Sequence, residues 1–313
     1  MAEMRKLGDS GLATPRLILG GNVFGWTADR ERSFAILDRF VAGGGTMIDT
    51  ADVYSSWAPG NQGGESETII GEWLRRRGRR DGVLIATKGG YEEGIAADRI
   101  AAAADRSLAR LGVDTIDLYY THRDDPETPL EQTLGALDRL VQAGKVRAIG
   151  ASQIGPERLG EALDVSAAGG LARYTVLQTW YNLVERPRFE GPLAEVARER
   201  GVATVAFYSL ASGFLTAKYR SASDLGKSVR GGGLGKYLNP HGFAVLAALD
   251  QVAAETGATP AQVALAWIAA QPGVAAPIAS ATNVEQIEEL LGAMELELDA
   301  AQVARLSEAS ASP

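Results

Sequence analysis

Val83-Leu84-Ile85-Ala86-Thr87, the stretch 98–111 and Ile116-Asp117-Leu118-Tyr119-Tyr120 decide the fold. The two outer runs are short, apolar and rich in β-branched or aromatic residues, as buried strands are. Between them Ile100, Ala104, Leu108 and Leu111 recur at helical spacing and lay one apolar stripe along a helix. Strand, helix and strand within roughly 30 residues make a βαβ unit, whose crossover forces the two strands to run parallel.

The same alternation extends outward from this unit. Upstream, 17–20 and 47–49 read as strands; 30–42, with Phe34, Leu37, Phe40 and Val41 on one face, and 66–77 read as helices. Downstream, strands are expected at 146–151, 174–179, 203–208 and 274–278. Helices are expected at 129–143, 156–168, 193–199, 240–257, 260–271 and 284–294. Near the start, Met4 to Leu7 and Leu12 to Thr14 flank Gly8-Asp9-Ser10-Gly11, a composition that suits a tight hairpin turn. Eight strands each followed by helix predict an α/β fold: a closed (β/α)8 TIM barrel with an N-terminal β-hairpin. With no Pro/Ser-rich linker and no solenoid repeat, one domain over 1–313 is expected. The stretch 221–238, with Gly231-Gly232-Gly233, reads either as a surface loop or as a lid over a bound ligand.

Composition narrows the chemistry. No cysteine is present, which removes disulfides, thiol nucleophiles and iron–sulfur clusters. His122 and His241 are the only histidines, so a three-histidine zinc site cannot be built and no metal is expected. The formal net charge of -8 argues against nucleic-acid binding. One basic run, Arg75 to Arg80, ends a predicted helix and reads as a solvated turn complementing the helix dipole. No long apolar run predicts a membrane span, and the first residues lack the apolar core of a signal peptide. A cytoplasmic location is expected.

In such a barrel reactive groups gather where strands end. Asp49 and Lys88 end strands two and three, His122 lies just past strand four, and Tyr54 sits five residues after Asp49. A free phenol has a pKa near ~10, too high for efficient proton exchange at neutral pH. A cation beside it favours the phenolate. Lys88 supplies that cation, Asp49 its counter-ion, and His122 a hydrogen bond that orients the substrate oxygen. Taken one at a time, Asp49 can cap a loop, Tyr54 can pack, Lys88 can be solvated and His122 can be structural. Their joint placement singles them out, and it suits protonation of the oxyanion that hydride attack on a carbonyl creates.

The segment Met47-Ile48-Asp49-Thr50-Ala51-Asp52-Val53-Tyr54 resembles the Asp-Thr-Ala-x-x-Tyr signature of the aldo-keto reductase superfamily. Arg5 to Leu12, Gly63-Gly64-Glu65-Ser66-Glu67, Ala86-Thr87-Lys88, Asp117 to Arg123, Gly144 to Ser152 and Leu215 to Tyr219 are similar to further motifs of that family, in order. The resemblance implies a catalytic tetrad of Asp49, Tyr54, Lys88 and His122, and a small-molecule carbonyl substrate. It also implies a nicotinamide cofactor, NADPH with NADH as the alternative, held in an extended pose. Ser152, Gln153 and Gln178 would then hold the carboxamide, and Tyr208 would stack on the nicotinamide. Ser209, Leu210, Gly213 and Lys218 would line the pyrophosphate. Ser280, Thr282, Asn283 and Gln286 would meet the adenosine end, beside a helix N-terminus.

Two positions depart from the family pattern. Gln153 stands where Asn is usual, one methylene longer, and the stretch 277–283 lacks the basic residue that often clamps a 2′-phosphate. Trp26, Trp57, Arg123 and Trp180 lie on rim loops and would wall the substrate pocket, or else simply pack the rim. His241 reads as structural. A regulatory subunit that binds nicotinamide with little turnover is the alternative function. The sequence assigns no oligomeric state.

Overall fold

In the computed structural model, which describes residues 3–311, β1 (Arg5–Lys6) and β2 (Ala13–Thr14) pair antiparallel. Met1, Ala2, Ser312 and Pro313, part of the expected 1–313 unit, lie outside the described residues. Gly8 turns the hairpin at φ +58°, and a Cβ there would sit 2.6 Å from the Thr175 carbonyl oxygen. This close approach seats Leu7 and Leu12 against Ile18, Met47 and Val176 of the barrel interior, so the hairpin closes the N-terminal mouth.

Eight parallel strands form the barrel: β3 (Ile18–Gly20), β4 (Met47–Asp49), β5 (Leu84–Gly89), β6 (Ile116–Thr121), β7 (Val146–Ser152), β8 (Tyr174–Trp180), β9 (Ala203–Phe207) and β10 (Val274–Ala279). They pair in chain order, and β10 closes on β3 through Ile278 opposite Ile18. The expected barrel and hairpin are therefore present.

The two-residue period of a strand builds two cores and the site at once. Met47, Ala86, Leu118, Tyr120 and Val176 point into the barrel. Ile48, Ile85, Tyr119 and Leu177 point outward against the helices. Continuing each inward row toward the C-terminal rim gives Asp49, Lys88, His122 and Gln178. Their convergence is thus the inward face of β4, β5, β6 and β8 read to its end.

The helices cover the outside. Asp29 caps α1 (Arg30–Ala42) by accepting from Arg32 N–H. α2 (Glu65–Arg77) starts after Gly64, in the left-handed region at φ +87°. α3 (Ala97–Leu111), α4 (Leu130–Gln142), α5 (Pro156–Gly169) and α6 (Pro192–Glu199) follow, then α7 (Pro240–Thr256), α8 (Pro260–Ala269) and α9 (Val284–Gly292). A tenth helix, α10 (Ala300–Ala309), was not expected. It buries Leu306 and accepts a hydrogen bond from Trp267 Nε1 at Ser307 Oγ, 3.0 Å.

Two expectations change. The basic run is not simply solvated: Arg76 and Arg77 lie over the rings of Phe34 and Trp73, and Arg80 pairs with buried Asp117. The glycine-rich stretch folds into two 3-10 turns, Ala222–Lys227 and Gly231–Tyr237; the second, with Ser228 to Arg230 before it, contributes a wall to the cavity at the C-terminal face. Among the described residues no helix is long and apolar enough to cross a membrane.

Candidate active site

Lys88 and Asp49 are the buried pair at the centre of the rim, 1% and 2% exposed. Lys88 Nζ donates to Asp49 Oδ2 at 2.7 Å and to the Thr50 carbonyl at 2.6 Å. The other carboxylate oxygen, Oδ1, accepts from Gln178 Nε2 at 2.8 Å. Burial works against the ammonium, but Asp49 and Tyr54 outweigh it and hold Lys88 above its ordinary pKa. Lys88 therefore remains a cation.

Tyr54 rides on a tightly bonded turn. Asp52 N–H donates to the Lys88 carbonyl at 2.9 Å, and Tyr54 N–H to the Ala51 carbonyl at 3.2 Å. Ser55 takes φ +73°, and its buried hydroxyl donates to the Phe24 carbonyl at 2.7 Å. Thr50 Oγ1 donates to Ser66 Oγ, which donates to the Gly21 carbonyl. The Gly63-Gly64 pair is steric: a Cβ on Gly64 would meet the Arg110 side chain at 2.6 Å. Lys88 Nζ ends 4.8 Å from the Tyr54 ring centre, and the His122 ring centre lies 6.0 Å from it.

The electrostatics differ from the sequence expectation in one respect. Burial is the largest influence on Tyr54 and pushes its pKa up; Lys88 pulls it down without prevailing. The resting phenol therefore keeps its proton, as a proton donor must. Burial, with Lys88 and Arg123, drives His122 well below its ordinary value, so the ring is a neutral imidazole. Its Nδ1 is buried without a partner among the described residues.

A cavity of about 1210 Å³ opens from this cluster and runs to the C-terminal end of β10. Ser152, Gln153, Gln178, Tyr208, Ser209, Leu210, Gly213, Lys218, Ser280, Thr282 and Gln286 line it. Asn283 does not. Its side chain caps α9 by accepting from Gln286 N–H. Gln153, at φ +50°, donates through Nε2 to the His122 carbonyl at 3.1 Å. The longer amide thus ties two rim loops together and leaves its oxygen and its second N–H free. Tyr208 sits at φ +60°, and Asn182 Nδ2 donates to its carbonyl at 3.1 Å.

Trp26, Trp57 and Trp180 also line the cavity. Trp26 and Trp57 meet edge to face at 5.7 Å, and Trp57 packs on Tyr54 at 5.9 Å. Arg123 stands outside the lining, with its guanidinium 4.9 Å from the Tyr91 ring centre. His241 lies on α7 and does not line the cavity.

Among the lining residues that sequence reasoning missed, three make defined contacts. Asn22 Oδ1 accepts from Ser280 Oγ at 2.6 Å. Tyr91 packs on His122 with ring centres 4.8 Å apart. Arg230 is half-buried, lies 5.2 Å from the Trp26 ring centre, and leaves its buried Nη2 without a partner among the described residues. Only Gly231 gave a signal for it: a Cβ there would sit 1.9 Å from the Leu225 carbonyl oxygen, so the loop folds back solely with glycine next to Arg230.

The comparisons agree with this geometry. The Aldo/keto reductase family model matches residues 16–311. Aldo-keto reductase str7 of Strobilurus tenacellus is 36% identical over 296 residues, covering 91% of this chain and 84% of the relative. Aldo-keto reductase yakc [NADP(+)] of Schizosaccharomyces pombe is 32% identical, covering 90% and 83%. A probable voltage-gated potassium channel subunit beta of Arabidopsis thaliana is 30% identical, covering 94% and 92%. On its barrel, its rim cluster and these matches, the chain belongs to the aldo-keto reductase family.

Proposed function

We propose that this protein reduces an aldehyde or ketone to the alcohol, reversibly, with NADPH as cofactor and Tyr54 as proton donor. The observation that carries the reading is the buried Lys88–Asp49 pair beneath the Tyr54 ring, at the inner end of the long cavity. The name of the fission-yeast relative, which includes NADP(+), supports the choice of cofactor.

The cavity suits an extended dinucleotide. Its volume exceeds the roughly 300–1,000 Å³ of ordinary small-ligand pockets, which leaves room for cofactor and substrate together. The orphaned Nη2 of Arg230 is a buried donor lacking an acceptor, and phosphate oxygens would satisfy it. Lys218 adds a second cation toward the pyrophosphate. Ser280, Thr282 and Gln286 would meet the adenosine end, with Asn283 supporting them as the cap of α9. Tyr208 would stack on the ring, Ser152, Gln153 and Gln178 would hold the carboxamide, and Ser209, Leu210 and Gly213 would border the pyrophosphate.

A bound reduced nicotinamide supplies a hydride; the protein's own groups do the rest. Neutral His122 donates a hydrogen bond that fixes the substrate oxygen beside the phenol. Tyr54 Oη delivers its proton to that oxygen as negative charge develops there. The Lys88 ammonium stabilises the phenolate left behind, and Asp49 with Gln178 keeps Lys88 charged and in place. Trp26, Trp57 and Tyr91 wall off water from the reacting end, and Arg123 braces Tyr91 from outside.

Fluorescence titration with NADPH and NADH, then a carbonyl panel followed at the cofactor's absorbance, tests this. The reading requires tighter binding of NADPH and its oxidation by at least one aldehyde or ketone. Arg230→Met should weaken NADPH about 10-fold or more, as expected for a lost charge-assisted bond of ~1.5–3 kcal/mol. The name of the plant relative favours a second reading, a nicotinamide-binding regulatory subunit. Tight binding with no oxidation by any carbonyl would select it.

A further inference from the structure

Behind the wall that bears the tetrad, on the helix side of β5 and β6, lies a second, largely shielded ionisable cluster. Glu67 of α2 is 0% exposed and accepts from Thr87 Oγ1 at 2.5 Å and from Arg110 Nε at 2.7 Å. Asp52, two residues before Tyr54, faces the same compartment. Its Oδ1, Arg110 Nη2 and Ser107 Oγ are buried without partners among the described residues. Tyr119 of β6 brings its hydroxyl to the compartment, and a Cβ on Gly89 would lie 2.1 Å from that oxygen. Arg106 of α3 approaches from the outer side but is held at the surface by Glu93, 2.6 Å away. The Lys88 ammonium of β5 is committed to Asp49 on the opposite face of the strand. Arg110 thus pairs with Glu67, and the Asp52 carboxyl has no ion-pair partner among the described residues.

The geometry points to Asp52 as a positioning residue: its ionised carboxylate holds the turn that presents Tyr54 against the end of β5, and its protonation lets that turn relax. The mechanical link is short. Asp52 N–H is bonded to the carbonyl of Lys88 itself, and the next turn of backbone, Tyr54 N–H to Ala51, starts one residue before it. Displacing Asp52 moves the phenol relative to the ammonium. The backbone N–H groups of Val53 and Gly90 face the carboxylate and favour its charge, as does Arg110. Burial and the neighbouring Glu67 oppose them more strongly and push the carboxyl up to about 6. His122 is held well below its ordinary value, so it stays uncharged through this range.

This inference rests on the carbonyl-reductase reading for its kinetic arm only. With NADPH and 4-nitrobenzaldehyde as probes, kcat of the wild type should break near pH 6 and fall about 10-fold per unit below it, as loss of one essential ionisation requires. Asp52→Asn should lack the break, with KM and NADPH affinity near the wild-type values. Glu67→Gln removes the repelling charge but can keep both hydrogen bonds, so it should move the break to lower pH. A purely structural role for Asp52 gives no reason for that movement. Trp57, packed on Tyr54, reports the turn without turnover. Its emission should change with the same midpoint, and the change should vanish in Trp57→Phe and in Asp52→Asn. If no carbonyl is reduced, the functional reading fails while the emission transition still decides the role of Asp52. Should Asp52→Asn not fold, the movement in Glu67→Gln decides. A pH-independent wild type, a break that survives Asp52→Asn, or one that Glu67→Gln leaves in place overturns the proposal.

Discussion

Tyr208 lies flat on Trp180, with ring centres 3.8 Å apart and planes 13° from parallel. Arg188 covers the Trp180 ring at 4.3 Å, and Trp180 Nε1 donates to Glu185. Tyr208 is thus backed by a fixed aromatic surface while its backbone is held in the left-handed region by Asn182. A ring preorganised this way binds a flat partner at low entropic cost.

Trp180→Ala should therefore weaken NADPH binding. Stacked aromatic pairs contribute about 0.5–1.5 kcal/mol beyond buried area, which corresponds to roughly 2- to 12-fold in Kd. Single-turnover hydride transfer at saturating cofactor should change less. Titration of NADPH fluorescence checks the first expectation, and stopped-flow at saturation the second. Unchanged affinity would detach Tyr208 from the cofactor.

Asp49→Asn leaves the Lys88 ammonium buried without its counter-ion. Breaking such a pair costs about 3–5 kcal/mol, because the remaining charge is uncompensated. Lys88 should respond by shedding its proton at lower pH, since burial alone acts downward on it. Both stability and turnover should fall. The sign for the wild type is the reverse: with its pKa raised in the fold, Lys88 stabilises fully below its ordinary value of 10.5 and loses that contribution only as pH rises through the higher folded value. Urea unfolding from pH 7 to 11 for both proteins measures this.

The charged form of Asp52, unlike that of Lys88, costs stability. Its carboxyl is pushed from 3.8 up to about 6, so the fold favours the protonated form. Above pH 6 the native state carries the cost of the buried charge, up to about 3 kcal/mol at 1.36 kcal/mol per unit. Asp52→Asn should therefore unfold at higher urea than the wild type at pH 8, and the gap should shrink as pH falls toward 4. A variant that is more stable yet turns over more slowly would match a residue kept for positioning.

The barrel and the rim were legible because one-dimensional periods carry them. Asp49, Lys88, His122 and Gln178 continue inward rows that the sequence already displays as strands. The first helix was bounded correctly because Asp29 caps it through a local contact. What was missed depends on remote packing. α10 buries only Leu306 and follows no strand, so the strand-helix alternation did not call for it. Arg230 reaches the cavity because Leu225 and Gly231 touch, a contact whose one local trace is the glycine itself. The compartment of Asp52, Glu67 and Arg110 draws on a loop and two helices. The net upward push on Tyr54 depends on how deeply the phenol is buried, and the sequence offers its partners but not its depth.

Tyr54→Phe tests the central claim most directly. The substitution removes one hydroxyl and keeps the ring that packs on Trp57. In a single-turnover experiment with prebound NADPH and saturating aldehyde, cofactor affinity should stay within about two-fold. The rate of NADPH oxidation should fall at least about 100-fold, the low end of what a positioned proton donor contributes. An oxidation rate close to that of the wild type would contradict the account, because the substrate oxygen would then be drawing its proton from another source.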